Sequence, residues 1–237
     1  MWPDLAERRR EPEWMDDPSI GAEAHDDALR GLARLNRVSR SHAILWSRVA
    51  RMARSANAAG RPLRVLDVAT GSGDVPLAMA HRARKAGLDI HWSVCDISAH
   101  ALDAARSRAV RSGFTFVGHQ LDVTSHDLPA AEVSICSLFL HHLDPPQVVG
   151  VLRGMRRASS LAIGIADLDR SPWGLALAWL ASRALTRSPI VHTDALLSVR
   201  AGFRPDEIRR MAELAGLAGA TLERAWPARW RLWWTAS

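Results

Sequence analysis

The chain has 237 residues, of which 48% are apolar and 24% charged. That balance excludes a disordered or fibrous chain and fits one globular domain with a small appendage. Lys+Arg 31 against Asp+Glu 25 leaves a net charge of +6, but the arginines are scattered and no RNA- or DNA-binding motif accompanies them, so no nucleic-acid partner is expected.

Residues 1–27 read as a polar arm, extended or partly disordered, with Pro3, Pro12 and Pro18 among the acids Glu11, Glu13, Asp16 and Asp17. It has no apolar core of the kind a signal peptide needs. Helices are predicted over 26–38 and 41–56, where Leu29, Leu32, Leu35 and then Leu45, Val49, Met52 recur at helical spacing. Residues 1–60 are therefore expected to form an arm and an N-terminal helical lid, with Asn36 and Arg37 as candidates for reaching inward, and residues 61–237 the main domain.

From Leu63 short apolar runs alternate with helical patterns. Strands are predicted at Leu63–Ala69, Ile90–Cys95, Phe114–Gly118, Val133–Phe139 and Leu161–Ala166. Helices are predicted from the glycine turn to about Lys85, from Ser98 to Arg111 and from Pro145 to Arg157. This alternation argues for βαβ units: an α/β, Rossmann-like, doubly wound and mostly parallel sheet with helices on both faces. Residues 172–204 break the pattern and read as an inserted, substrate-covering segment, a helix over 172–187 and then a loop through His192 and Asp194. A helix follows from Pro205 to about Ala215, and Ala220–Arg224 with Trp230–Thr235 read as an antiparallel pair. Trp226, Trp230, Trp233 and Trp234 are assigned to packing of that hairpin. The longest apolar stretch, Trp173–Ala181, is too short for the roughly 20 residues of a membrane span. It leaves surface association open. Cys95 and Cys136 lie in apolar runs and read as buried, reduced thiols, which places the protein in the cytoplasm.

The chemistry is expected at the carboxyl ends of the strands, where sheets of this kind bind ligands. Val65-Leu66-Asp67-Val68-Ala69-Thr70-Gly71-Ser72-Gly73-Asp74 carries an acid on a strand and then turns on glycines into a helix. Glycines permit positive φ and close approach to a ligand, and a helix N-terminus favours an anion. Asp96, ending the second strand, is placed to accept from a ribose diol. Asp122, before Val123, is placed to accept from an exocyclic amine; an N-cap and a turn are the plain alternatives for these two acids. Ser137-Leu138-Phe139-Leu140-His141-His142-Leu143-Asp144 ends the fourth strand. His141, His142 and His192 are the candidate catalytic bases, since a histidine titrates near neutrality. Neighbours at a strand end face opposite sides, so one of the adjacent pair is expected to face the substrate. Asp167 and Asp169 are candidates to reach a substrate hydroxyl, and no metal is expected because no further spaced ligands accompany the histidines.

Together these residues resemble the class I S-adenosylmethionine-dependent methyltransferases over about residues 63–168. Within them they are similar to the small-molecule enzymes of ubiquinone and menaquinone biosynthesis and of polyketide clusters. The resemblance implies a seven-stranded sheet with the last strand antiparallel. It implies S-adenosyl-L-methionine as cofactor, held by Asp67, Ala69, Thr70, Gly71, Gly73, Asp96, Ile97, Asp122, Val123 and Ser137. It implies methyl transfer to oxygen of an apolar phenolic, polyketide-like or quinone-like molecule, with a quinone-precursor C-methyltransferase as the alternative. An NAD-dependent oxidoreductase is the other reading. It is opposed by Pro76, where a dinucleotide fingerprint has its third glycine, and by the absence of tyrosine, which rules out a Tyr-x-x-x-Lys pair.

Overall fold

The computed structural model describes residues 4–16, 20–39 and 41–236. The side chains of Asn36 and Arg37 lie outside the described residues. A 3-10 turn at Trp14–Asp16 precedes α1 (Ala22–Ser39) and α2 (Ser41–Ala58). The sheet and its helices follow as β1 (Leu63–Val68), α3 (Asp74–Lys85), β2 (Ile90–Asp96), α4 (Ala99–Arg111), β3 (Phe116–Gln120) and β4 (Ala131–Ser137). A second 3-10 turn at Leu140–His142 leads to α5 (Pro145–Ala158) and β5 (Ser159–Leu168). The chain closes with α6 (Pro172–Leu185), α7 (Pro189–Ala201), α8 (Pro205–Leu214), β6 (Thr221–Ala225) and β7 (Arg229–Thr235). The strand order is β3-β2-β1-β4-β5-β7-β6, with β1 to β5 parallel and β7 antiparallel to both its neighbours.

Strand side chains alternate between two cores, as a period of two requires. Leu63 and Val65 of β1, Val133 and Ile135 of β4 and Ala162 and Ala166 of β5 meet α2, α3 and α4. Leu66 and Val68, Cys136, and Ile163 and Ile165 face the other way, onto α5 and α8. Each fully buried Leu, Ile or Met contributes about 1.5–3 kcal/mol. Of the two N-terminal helices, α2 belongs to this helical layer through Ile44, Leu45, Val49 and Ala53. It is α1 that packs against α6 and α7.

The segment after β5 is a closed excursion, since Asp169 forms an isolated parallel bridge with Phe203. The expected loop through His192 and Asp194 is instead α7, with Ser188 as N-cap and Pro189 at the first helical position. That is a recognised start signal; weak amphipathic patterning hides the helix that follows. Of the large apolar side chains of α6, Leu175 is buried against Leu5 and Val199, while Trp173 and Leu180 are each 58% exposed. The apolar hairpin behaves as expected at Trp230 and Trp233, which are buried, while Trp226 is exposed. Cys95 and Cys136 are buried free thiols. No helix among the described residues is long and apolar enough to cross a membrane.

Candidate functional site

The sheet changes winding direction between β1 and β4, which are hydrogen-bonded neighbours. Each of these strands ends in a non-glycine residue in the left-handed region, Ala69 at φ 54 and Leu138 at φ 56. Such residues cost on the order of 1–3 kcal/mol apiece and gather at functional sites. Their peptides are tied to adjacent strands: Thr70 N–H donates to Cys95 O and Leu138 N–H to Ala166 O, both at 3.0 Å. The two strand ends are thus turned sharply on either side of one crevice.

The glycine turn forms the floor of that crevice. Gly71 has φ +53 and open space where a Cβ would stand, whereas Gly73, at φ +74, lies where a Cβ would meet the Ala105 Cβ of α4 at 2.8 Å. Gly71 thus leaves room for a ligand, and Gly73 lets loop and helix pack closely. Arg108 of α4 fixes the turn, donating to Ser72 O at 3.1 Å and Ser72 Oγ at 3.0 Å and pairing with Asp74. Asp67 is fully buried beneath the turn and accepts from Thr70 Oγ1 at 2.6 Å. Burial pushes its carboxyl up to about 7. Asp96 accepts from Gly71 N–H at 2.8 Å and from Ser98 N–H at 3.0 Å. The turn, Asp67 and the tip of β2 are therefore one connected unit. Ser98 Oγ, rather than Asp96, accepts from Ala101 N–H as the cap of α4.

Ile97, beside Asp96, is 66% exposed, and Val123 is buried. Asp122 follows Leu121, whose N–H donates to Asp96 O at 3.0 Å. Its carboxylate accepts from Thr124 N–H, Thr124 Oγ1 and Ser125 Oγ, and those hydroxyl and amide donors hold it below the usual carboxylate range. The structure therefore gives Asp122 the turn-aspartate arrangement. Ser137, at the end of β4, has a buried Oγ with no hydrogen-bond partner among the described residues. A buried polar atom of this kind normally has a partner. Here it stands beside Leu138, at the carboxyl end of β4.

On the far side of the crevice the fourth-strand motif turns over as a 3-10 turn. His141 is buried, and its Nδ1 lies 2.6 Å from Asp167 Oδ1 at the end of β5. Asp167 also accepts from Leu168 N–H at 2.7 Å. Burial would raise the Asp167 carboxyl, but the His141 charge and hydrogen bond outweigh it and hold the group low. As a carboxylate, Asp167 can only accept, so Nδ1–H of His141 is the donor and Nε2 is the ring nitrogen left without that proton. Burial pulls His141 down, yet the charge and hydrogen bond of Asp167 prevail and hold the imidazole above its ordinary value. His142 goes the other way: burial first, then the charge of His141, push it down to about 3. The two rings lie side by side, with centroids 4.2 Å apart. The expectation that adjacent histidines face opposite sides thus fails, because residues 140–142 are a tight turn and not strand.

His192 is elsewhere engaged, its Nε2 lying 2.9 Å from O of Thr186, the C-cap of α6. Asp194 does not stand as a loop partner for it; the buried carboxylate accepts from Trp14 N–H at 2.7 Å and Met15 N–H at 3.0 Å. Asp169 is buried in the bridge to Phe203, and burial raises its carboxyl.

Those contacts with Asp194 reveal a participant the sequence reading misses. The arm over residues 4–16 is laid across the mouth of the site. Arg8 donates to His141 O and Leu143 O at 2.8 Å and to Ala201 O at 2.6 Å, and stacks on Phe203. Arg10 pairs with Asp144, and the buried Arg170 donates to Leu5 O at 3.1 Å. Glu13 accepts from Ser198 Oγ of α7, and its carboxylate stands with the ring nitrogens of His141 and His142 in a group whose atoms all lie within 4.8 Å of one another. The only sequence signal is Leu5, Trp14 and Met15, apolar residues in an otherwise polar arm. A surface hollow lined by Ala80, Arg84, Leu88, Trp92 and Phe114 lies at the opposite, amino ends of β2 and β3 and holds none of these groups.

Residues 65–160 match the family model of a methyltransferase domain. No curated protein is matched in sequence. Among solved structures, the chain is similar to the S-adenosylmethionine-dependent methyltransferase SibL in its apo form, with TM-score 0.64 and 17% identity over 92% of this chain and 59% of that one. It is similar to PigF with SAH, at TM-score 0.54 and 20% identity over 73% of this chain and 50% of that one. It is also similar to the plantazolicin methyltransferase BpumL in complex with SAH, at TM-score 0.64 and 12% identity over 94% and 92%. The chain thus spans between half and three-fifths of the length of SibL and PigF. The fold is the Rossmann-like fold that these proteins share.

Proposed function

We propose that this chain, whose residues 65–160 match the model of a methyltransferase domain, moves the methyl group of S-adenosyl-L-methionine to an oxygen of an apolar, phenol- or quinone-like small molecule. The observation that carries the reading is the pairing of the glycine-turn crevice with the buried His141–Asp167 couple across the switch point of the sheet.

The residues of the crevice fit the cofactor. The open side of Gly71 and the N-terminus of α3 suit the carboxylate of its methionine end. Asp67 puts a carboxylate beneath the amino and sulfonium charges. Asp96 has acceptor capacity for a ribose diol, exposed Ile97 offers an apolar surface to the base, and the buried Ser137 hydroxyl lacks a partner among the described residues. When bound, S-adenosyl-L-methionine supplies a methyl group already activated by its sulfonium.

The protein's share is alignment and removal of a proton. Alignment in a closed mouth accounts for several kcal/mol of barrier reduction. His141 is the better base of the adjacent pair. Asp167 fixes its tautomer and stabilises the imidazolium that forms, as in other carboxylate-oriented histidines. His142, held neutral, is suited to orienting the acceptor. His192, committed to Thr186 O, serves the shape of the α7 wall.

The test is a titration with S-adenosyl-L-methionine followed by a transfer screen over long-chain phenols, naphthols and quinols. Binding of one equivalent and O-methylated product are expected. Absence of cofactor binding overturns the methyltransferase reading, and product methylated only on carbon overturns the oxygen assignment.

A further inference from the structure

The arm holds a carboxylate against the two histidines, and the methyl-transfer chemistry above leaves it without a role. Glu13 stands with His141 and His142 in one group of ligand-type atoms within 4.8 Å of one another. His141 commits Nδ1 to Asp167, so Nε2 is the atom it brings to the group. Glu13 is placed there by a network: Trp14 and Met15, its neighbours, donate their N–H groups to Asp194 at 2.7 and 3.0 Å, and Ser198 Oγ donates to Glu13 itself. A carboxylate has several acceptor sites, so the contacts Glu13 already makes, the Ser198 bond among them, are compatible with a further donor.

Two imidazoles and a carboxylate also form a ligand set for a divalent metal. The surroundings speak against it. The charges of Arg8 and Arg10 act on His142, and that of Arg8 on His141. A cationic rim of this kind disfavours a dication. It is also already engaged: Arg8 on three backbone carbonyls and Arg10 on Asp144. What the corner presents to a small molecule is therefore a hydrogen-bond acceptor with negative charge beside a neutral imidazole.

We infer that Glu13 is an acceptor-binding residue, which together with His141 takes the hydroxyl of an uncharged acceptor and turns away acceptors that carry a carboxylate beside the reacting hydroxyl. The inference rests on the methyl-transfer reading and sharpens its substrate class. The acceptor O–H docks in a three-centre hydrogen bond shared between Glu13 and His141 Nε2. In the transfer step the acceptor oxygen forms a bond to the methyl carbon, the carbon–sulfur bond breaks with its electrons left on sulfur, and the hydroxyl proton goes to His141 Nε2.

The experiment compares the full chain with Glu13→Gln, Glu13→Asp and Ser198→Ala. The probes are S-adenosyl-L-methionine, the best acceptor from the phenol, naphthol and quinol screen, and its ortho-carboxylated counterpart (for 2-naphthol, 3-hydroxy-2-naphthoic acid). Glu13→Gln keeps the shape and the Ser198 contact. It is expected to lower kcat/KM for the uncharged acceptor about 10- to 100-fold, the range for a hydrogen bond to a charged group. Cofactor affinity and melting temperature should be unchanged. The preference for the uncharged acceptor over the carboxylated one should narrow about tenfold or more, which a merely structural role of Glu13 would not produce. Glu13→Asp should keep the preference at reduced rate, and Ser198→Ala should lose less than Glu13→Gln. Full activity and undiminished preference in Glu13→Gln overturn the inference and leave the methyltransferase reading standing. One equivalent of zinc on the unaltered chain, lost in Glu13→Gln, overturns it in favour of a metal centre. No cofactor binding, or no transfer to any acceptor, overturns the reading and the inference together.

Discussion

His141 and Asp167 form the pair on which the proposed chemistry turns, and their titration makes the proposal testable one residue at a time. His141→Ala and Asp167→Asn should each lower the transfer rate about 10²-fold or more while cofactor affinity, measured by calorimetry, stays the same. His142→Ala should lose less, because an imidazole pushed down to about 3 is too weak a base to hold the proton. Should both histidine variants keep full rate across pH 6–9, the base assignment is wrong. With His141 held above its ordinary value, the rate should rise with pH through that raised value and then level off. The stability sign is opposite. The contribution of His141 is fully present below its unfolded pKa near 6.5 and is lost as pH rises through the folded one, while that of Asp167 is lost as pH falls through its lowered value. Asp67 gives a separate test. Its carboxyl is raised to about 7 by burial, so at pH 6 much of it carries a proton. A cationic ligand favours the carboxylate. Binding of S-adenosyl-L-methionine should therefore release a proton at pH 6, strengthen as pH rises to about 7 and then flatten. Calorimetry in buffers of different ionisation heat reads this directly, and Asp67→Asn should abolish the dependence.

At the scale of elements, the turn from β1 into α3 and the cover of the mouth behave differently. The turn was legible from Asp67, Gly71 and Gly73 because its demands are local: positive φ at two glycines and an acid two residues before the bend. Gly73→Ala should cost about 1–3 kcal/mol, read as a lowered melting temperature, since it combines a strained φ with a Cβ 2.8 Å from that of Ala105. The cover was less legible. The sequence assigns the cover to residues 172–204 and the N-terminal helices; what it does not show is how the arm is fastened to α7 and to the histidine turn through Asp194, Ser198, Arg8 and Arg170. Those anchors pair residues more than 130 positions apart, and no local pattern encodes such pairs. The polar composition of residues 4–16, a sign of disorder in isolation, is here the set of donors and acceptors that latches the arm to the domain.

For the whole molecule, two cores on the faces of one sheet leave the carboxyl ends of β1, β2, β4 and β5 as the shared rim where the turn, Asp96, Ser137 and the histidines meet. A ligand bound at that rim touches both halves and should stabilise the domain as a unit. S-adenosyl-L-methionine at a hundredfold excess over its Kd should add about 2.7 kcal/mol, a rise of roughly 5–10 °C in melting temperature for a domain of this size. The alternation of strands and helices determined the sheet class and placed Asp67, Gly71, Asp96 and His141 at strand ends, because hydrophobic period and glycine chemistry are written residue by residue. Tertiary structure alone decided that both histidines share one corner, that Asp167 pairs with His141, that His192 faces a backbone carbonyl, and that Glu13 stands beside the histidines. Each of these depends on the distance between chain segments remote in sequence, and that distance exists only once the sheet has closed its register and the arm has been drawn across it.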